Sequence, residues 1–145
     1  MHKHLISALN LAANNAYDKH LVFNLCAVIV GGGSIISVGY NKSNTNGFVE
    51  HYTDKILGKR DYALSSHAEM DSIAKVRSKT NLVGCKVFVA RRSKEGNNPV
   101  MARPCPICQA MLRAYGIKRA FYTIDSNRYG IMNLANNKPD EIVRF

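Results

Sequence analysis

Two short segments put metal-ligating side chains at the start of helices, and they constrain the fold more than any other feature of the chain. His67-Ala68-Glu69 stands before the helical spacing of Met70, Ile73 and Ala74. Ser65 or Ser66 can cap that helix, which the pattern predicts over residues 67–78. Pro104-Cys105-Pro106-Ile107-Cys108 stands before a second helix predicted to run to Tyr115. Pro106 suits a first turn, where its missing N–H costs nothing, and Gly116 suits the position just past the last turn. One imidazole and two thiols from distant stretches can meet only if both helices begin at the same end of a shared scaffold.

The remaining segments supply that scaffold. Residues 3–19 read as an amphipathic helix on Leu5, Ile6, Leu9, Ala12, Ala13 and Ala16. Residues 24–30 (NLCAVIV) and 34–40 (SIISVGY) read as strands joined by a hairpin through Gly31, Gly32 and Gly33. Residues 85–91 and 119–124 read as two more strands. The turn-forming run Asp125–Gly130 then sends Ile131–Leu134 back as a last strand, antiparallel to its predecessor. Residues 42–65 and 92–103 read as polar loops, the first with one helical turn near Tyr52 to Leu57 and long enough to expect a functional role. The order α-β-β-α-β-α-β with a final short strand predicts an α/β fold with helices on both faces of one mixed sheet.

Composition bounds what such a scaffold does. The length of 145 residues fits one domain over 1–145, and a hydrophobic content of 46% suits a globular core. No run approaches the ~20 apolar residues of a membrane span. Asn10, Asn14 and Asn15 interrupt the N-terminal apolar stretch, which therefore fails as a secretory leader, and a cytoplasmic location is expected. Cys26 and Cys85 lie in apolar runs and read as buried small hydrophobes, not disulfide partners. A net charge of +10 favours anionic partners, either nucleic acid or phosphorylated small molecules.

The donor set then specifies chemistry. One imidazole and two thiolates suit Zn²⁺, and a helix N-terminus favours the thiolate form. A structural zinc site is closed by four protein ligands, whereas a catalytic one keeps three and an open position for water. His67, Cys105 and Cys108 make three. Glu69, two residues from a ligand, is placed to act as the general base toward zinc-activated water and then to protonate the ring and the leaving amine. The competing reading is a closed site with a fourth ligand from His20 or His51, in a catalytically inactive, zinc-stabilised binding module.

A His-x-Glu followed by Pro-Cys-x-x-Cys is the recognised signature of zinc deaminases. HAEMDSI at 67–73 and PCPIC at 104–108 resemble the two zinc motifs of the cytidine and deoxycytidylate deaminase superfamily. GYN at 39–41 and GIKRAFYT at 116–123 resemble further segments of the group, so the resemblance runs from about residue 20 to 124. It implies the αβα fold with a five-stranded sheet, Zn²⁺ on His67, Cys105 and Cys108, and Glu69 as proton shuttle. It also implies that Asn41 contacts the sugar or nearby groups and that the Ala68 backbone helps hold the base. For Asn41 a plain turn role stands beside that reading. Arg103 before Pro104 departs from the Glu of relatives acting on transfer RNA adenosine and places a cation beside the site. The antiparallel last strand is like that of cytidine deaminases, whereas deoxycytidylate and transfer RNA deaminases insert a helix there. The loop 42–65 lacks the extra zinc ligands of some deoxycytidylate deaminases.

The substrate expected from these residues is a cytosine nucleotide, CMP-like or dCMP-like, deaminated hydrolytically to the uracil product and ammonia. Arg91, Arg92, Lys94 and Arg103, with Lys55, Lys59 and Arg60, form a basic rim able to grip one phosphate or to track a nucleic acid backbone. Nucleic acid or transfer RNA as substrate is the alternative, with Tyr52, Tyr62 and Tyr129 as possible stacking platforms. Exposed sheet and helix edges lead to the expectation of a homo-oligomer.

Overall fold

A computed structural model describes residues 1–13, 23–42 and 67–145. Helix α1 (Lys3–Ala13) precedes strands β1 (Phe23–Gly31) and β2 (Ser34–Tyr40). Helix α2 (Ala68–Ala74) and a 3₁₀ turn at Lys79–Leu82 lead into β3 (Lys86–Ser93) and the two-residue β4 (Pro99–Val100). Helix α3 (Pro106–Ala114) is followed by β5 (Arg119–Thr123), β6 (Arg128–Asn133) and β7 (Glu141–Arg144). Residues 14–19 of the first expected helix lie outside the described residues. So do nearly all of the loop 42–65 with its turn near Tyr52, the candidate caps Ser65 and Ser66, and His20, His51, Lys55, Lys59, Arg60 and Tyr62.

The sheet runs β2-β1-β3-β5-β6-β7, with β4 on the end of β3. The β3–β5 pair is parallel, with α3 in the crossover between them, and every other pair is antiparallel. The sheet is thus mixed, as expected. Among the described residues it has seven strands instead of five, because β4 and β7 add short edge pieces. β7 alternates polar and apolar residues only weakly, and β4 is a Pro-Val pair, so neither carries a periodic signal. The return of β6 antiparallel to β5, pairing Tyr122 with Gly130, matches the expectation from the Asp125–Gly130 turn.

Strand periodicity sorts side chains to the two faces. Cys26, Val28, Phe88, Ala90 and Phe121 pack under α1 through Leu5, Ala8, Leu9 and Ala12. Ala27, Ile29, Val87, Val89, Ala120 and Tyr122 pack under α2 and α3 through Met70, Ile73, Met111 and Leu112. Helices therefore cover both faces of the sheet. β1 and β3 are buried on both sides, which is why they read as unbroken apolar runs. Cys26 and Cys85 are buried free thiols; burial pushes Cys26 up to about 12. Gly32 and Gly33, with φ of 59° and 82°, form the tight β1–β2 turn.

Helix α2 is shorter than the expected 67–78. Lys79 folds back to donate to the carbonyls of Ile73 (2.7 Å), Ala74 and Val76, so a side chain satisfies the orphan acceptors a longer helix would have paired. Helix α3 ends as expected. Gly116 takes a left-handed φ of 80°, and the amides of Gly116 and Ile117 close back on Arg113 and Leu112.

Candidate metal and active site

The chain direction brings the two motifs together. α3 leaves the C-terminal end of β3, and α2 runs antiparallel to β3, so both helices begin over that same edge of the sheet. Ligand sites of α/β sheets form at such edges. His67 and Cys105 are the N-cap residues of α2 and α3, each in extended backbone conformation. Neither side chain caps its own helix, which leaves ring and thiol turned to one another.

His67 Nδ1 lies 3.5 Å from Cys105 Sγ and 3.3 Å from Cys108 Sγ, and the three donor atoms fall within 4.8 Å of one another. A tetrahedral ion with ordinary Zn–N and Zn–S bonds requires N···S separations of about 3.6 Å. The donors therefore fit zinc as they stand. Among the described residues no other His, Cys, Asp or Glu cluster of this kind occurs. His20 and His51, the candidate fourth ligands, lie outside the described residues.

Electrostatics divide the thiols. A hydrogen bond from Cys108 brings Cys105 down to about 4 against its burial, and the same bond, with complete burial, raises Cys108 well above the usual thiol range. The interaction with Cys105 raises His67. Glu69 is only 4% exposed, and this burial raises its carboxyl above the usual range, partly opposed by His67.

His67, Glu69 and Cys105 form one wall of a pocket also lined by Leu25, Asn41, Lys42, Ala68, Arg91, Met101, Ala102 and Arg103. The expected substrate contacts Asn41, Ala68 and Arg103 are thus all at the pocket. Asn41 is buried, and its Oδ1 accepts from the Leu25 amide at 2.9 Å, so it also joins the ends of β1 and β2. The basic rim is sorted by strand parity. Arg91 faces the pocket and donates to the Met101 carbonyl at 3.3 Å. Arg92, one residue on, faces the opposite side, where it donates to the Leu9 carbonyl of α1 at 2.8 Å and to that of Asn97 at 2.7 Å. Arg92 is therefore removed from the expected rim. Lys94 sits in the exposed turn after β3. Tyr129 packs with the α1-side cluster and against Phe145, so it is no stacking platform for this pocket.

Several residues that organise the site carried no sequence signal. Thr123, fully buried at the end of β5, donates to the Val100 carbonyl at 2.7 Å and accepts from the Arg91 amide, while its own carbonyl receives the Ala102 amide. This stitches down the segment that delivers Cys105. Asp71, on α2, receives Lys75 at 2.8 Å, Lys42 at 3.1 Å and the Tyr40 amide at 2.9 Å. Burial would raise this carboxyl, but those donors hold it below the usual range. Asp140, ahead of β7, receives Arg103 Nε at 2.8 Å and the Tyr122 hydroxyl at 2.6 Å on one oxygen. Lys42 could have been suspected from its place after Asn41; Asp140 lies in a polar stretch without a motif.

Comparison with known proteins agrees with this geometry. The profile of the family described as the cytidine and deoxycytidylate deaminase zinc-binding region matches residues 1–124. Among solved structures, the chain is similar to the dCMP deaminase of the cyanophage S-TIM5 in complex with dCMP and dUMP. Identity is 22% and the TM-score 0.52, over 82% of this chain and 76% of that one. It is also similar to the apo form of the same enzyme, at 21% identity and a TM-score of 0.51, over 84% of each chain. A search of curated proteins finds no match. The profile's zinc-binding region and the His-Cys-Cys cluster together identify Zn²⁺ as the cofactor.

Proposed function

We propose that this chain, which belongs to the cytidine and deoxycytidylate deaminase zinc-binding family, hydrolyses the exocyclic amine of a cytosine nucleotide. The substrate is a monophosphate of the CMP or dCMP type, and the products are the uracil nucleotide and ammonia. The observation that carries this reading is one pocket that joins a three-donor cluster, a buried carboxyl group and the cations Lys42, Arg91 and Arg103.

His67, Cys105 and Cys108 hold the ion in this reading. Zinc, when bound, supplies a water that ionises near neutral pH. Glu69 would take one proton of the attacking water on a carboxylate oxygen and pass it to the ring nitrogen beside the amine, then carry the proton of the new hydroxyl to the amine as the C–N bond breaks and ammonia leaves. Its burial favours this role, because a raised pKa makes the carboxylate a stronger base. Ala68 lies beside Glu69 on the pocket wall and offers its backbone to the base; Asn41 reaches the sugar side. Arg103 faces the phosphate. The match to an enzyme solved with dCMP and dUMP supports the same substrate class. A second reading, deamination within a nucleic acid, is favoured by the net charge of +10.

Ammonia release from cytidine, CMP, dCMP, dCTP and single-stranded oligonucleotides separates these. Monophosphates are expected to react fastest; reaction of oligonucleotides alone overturns the assignment. Glu69→Ala is expected to retain one zinc per chain and to lose turnover by at least about a hundredfold. Full activity in that variant removes the mechanism.

A further inference from the structure

We propose that Asp140 and Tyr122 are positioning residues that aim the Arg103 guanidinium at a substrate phosphate, so that the C-terminal hairpin sets the preference for phosphorylated substrate. This rests on the nucleotide reading above. Arg103 lines the active-site pocket directly before Pro104-Cys105, with its side chain 47% exposed. A half-exposed arginine must surrender much rotamer freedom before it can hold a ligand, and an existing bond reduces that cost. The bond to Asp140 uses Nε, at 2.8 Å, so the two Nη groups are not spent on that carboxylate.

The clamp is built across three strands. Tyr122 of β5 is 2% exposed, and its hydroxyl fixes the same Asp140 oxygen at 2.6 Å. Its ring lies over Gly130 of β6, where a Cβ would overlap the ring atoms. Asp140 stands immediately before β7. Arg103 and Tyr122 hold the Asp140 carboxyl below the usual range against its burial, so it is anionic at neutral pH. Asp140 and Gly130 lie beyond residue 124, outside the stretch matched by the family profile.

An anionic neighbour has two opposite effects on Arg103: it orders the side chain, and it offsets the positive charge. The sign of one substitution separates them. Calorimetric binding of uridine monophosphate and uridine to the zinc-loaded protein reads the phosphate preference without turnover. Asp140→Asn and Tyr122→Phe are each expected to lower the monophosphate preference by about tenfold, with uridine affinity kept. Adding Asp140→Asn to Arg103→Gln is expected to change nothing further, which a purely structural role for Asp140 would not produce. Unchanged or tighter monophosphate binding in Asp140→Asn overturns the proposal, and so does a wild type that binds both ligands equally. An effect confined to single-stranded oligonucleotides overturns it as well. A clamp effect present in binding while no cytosine nucleotide is deaminated leaves the clamp standing and removes the deaminase substrate assigned above.

Discussion

Asp71 shows how a single side chain holds the site from behind. Its carboxylate ties Lys75 of its own helix, Lys42 beside the pocket and the amide at the end of β2. Its folded pKa is depressed below the ordinary value near 3.8. Its contribution is therefore present above that value and is lost as pH falls through the lower folded one, below about pH 4. Asp71→Asn is expected to cost about 1–2 kcal/mol at pH 7 after allowance for the exposed lysine ends. Denaturant titrations at pH 7 and pH 3 check this: the gap between variant and wild type should narrow toward the acid end. A gap that persists would mean that shape, not charge, is what Asp71 contributes. At this scale the metal donors and Glu69 were legible because their spacing is local and chemical. Asp71, Thr123 and Asp140 were not, because each acts on partners distant in sequence.

At the scale of elements, the approach of α2 to β2 decides where His67 stands. A Cβ on Gly39 would collide with the backbone of Ala68 and Ser72, so only glycine lets the helix settle directly on the strand. Ser37 closes the same contact by donating to the Ser72 carbonyl at 2.6 Å. The Gly39 of the GYN segment thus has a packing reason independent of any ligand. Gly39→Ala is expected to destabilise by about 2–3 kcal/mol, a fall in Tm of roughly 5–10 °C, and to weaken zinc retention because His67 moves with α2. Thermal melts with zinc analysis check both. Loss of stability with full zinc retention would show that His67 is held independently of that contact. The helix and strand types were readable from periodicity, but the early end of α2 was not. It follows from Lys79 reaching back across a turn, which no local propensity encodes.

For the whole molecule, an ion held by His67, Cys105 and Cys108 would join the starts of α2 and α3. Stripping zinc with a strong chelator is expected to lower stability by about 4 kcal/mol if the site is normally filled at a thousandfold excess over its Kd, and restoring zinc should reverse the loss. An unchanged melt would mean that the cluster contributes nothing to the folded state. Self-association is expected from the exposed Ile35 and Ile36 on β2 and Ile142 on β7, at the two outer strands of the sheet order. Light scattering should give a multiple of 16.1 kDa; a mass of one chain removes that expectation. No helix among the described residues is long and apolar enough to cross a membrane.

The sequence alone determined the chemistry of the centre. A histidine, two cysteines and a glutamate at helix starts specify a metal site with a carboxyl group beside it whatever the detailed packing, because ligand type and spacing are local properties. It also determined the layer order, because two periodicities alternate along the chain. Only the tertiary structure decided which cations face the pocket. Arg91 and Arg92 are neighbours in sequence, yet the strand sends one to the site and the other to α1. Only the tertiary structure, too, brought Asp140 to Arg103, because the length of β5 and the β6–β7 hairpin set that meeting, and hydrogen bonds across strands leave no trace in local sequence.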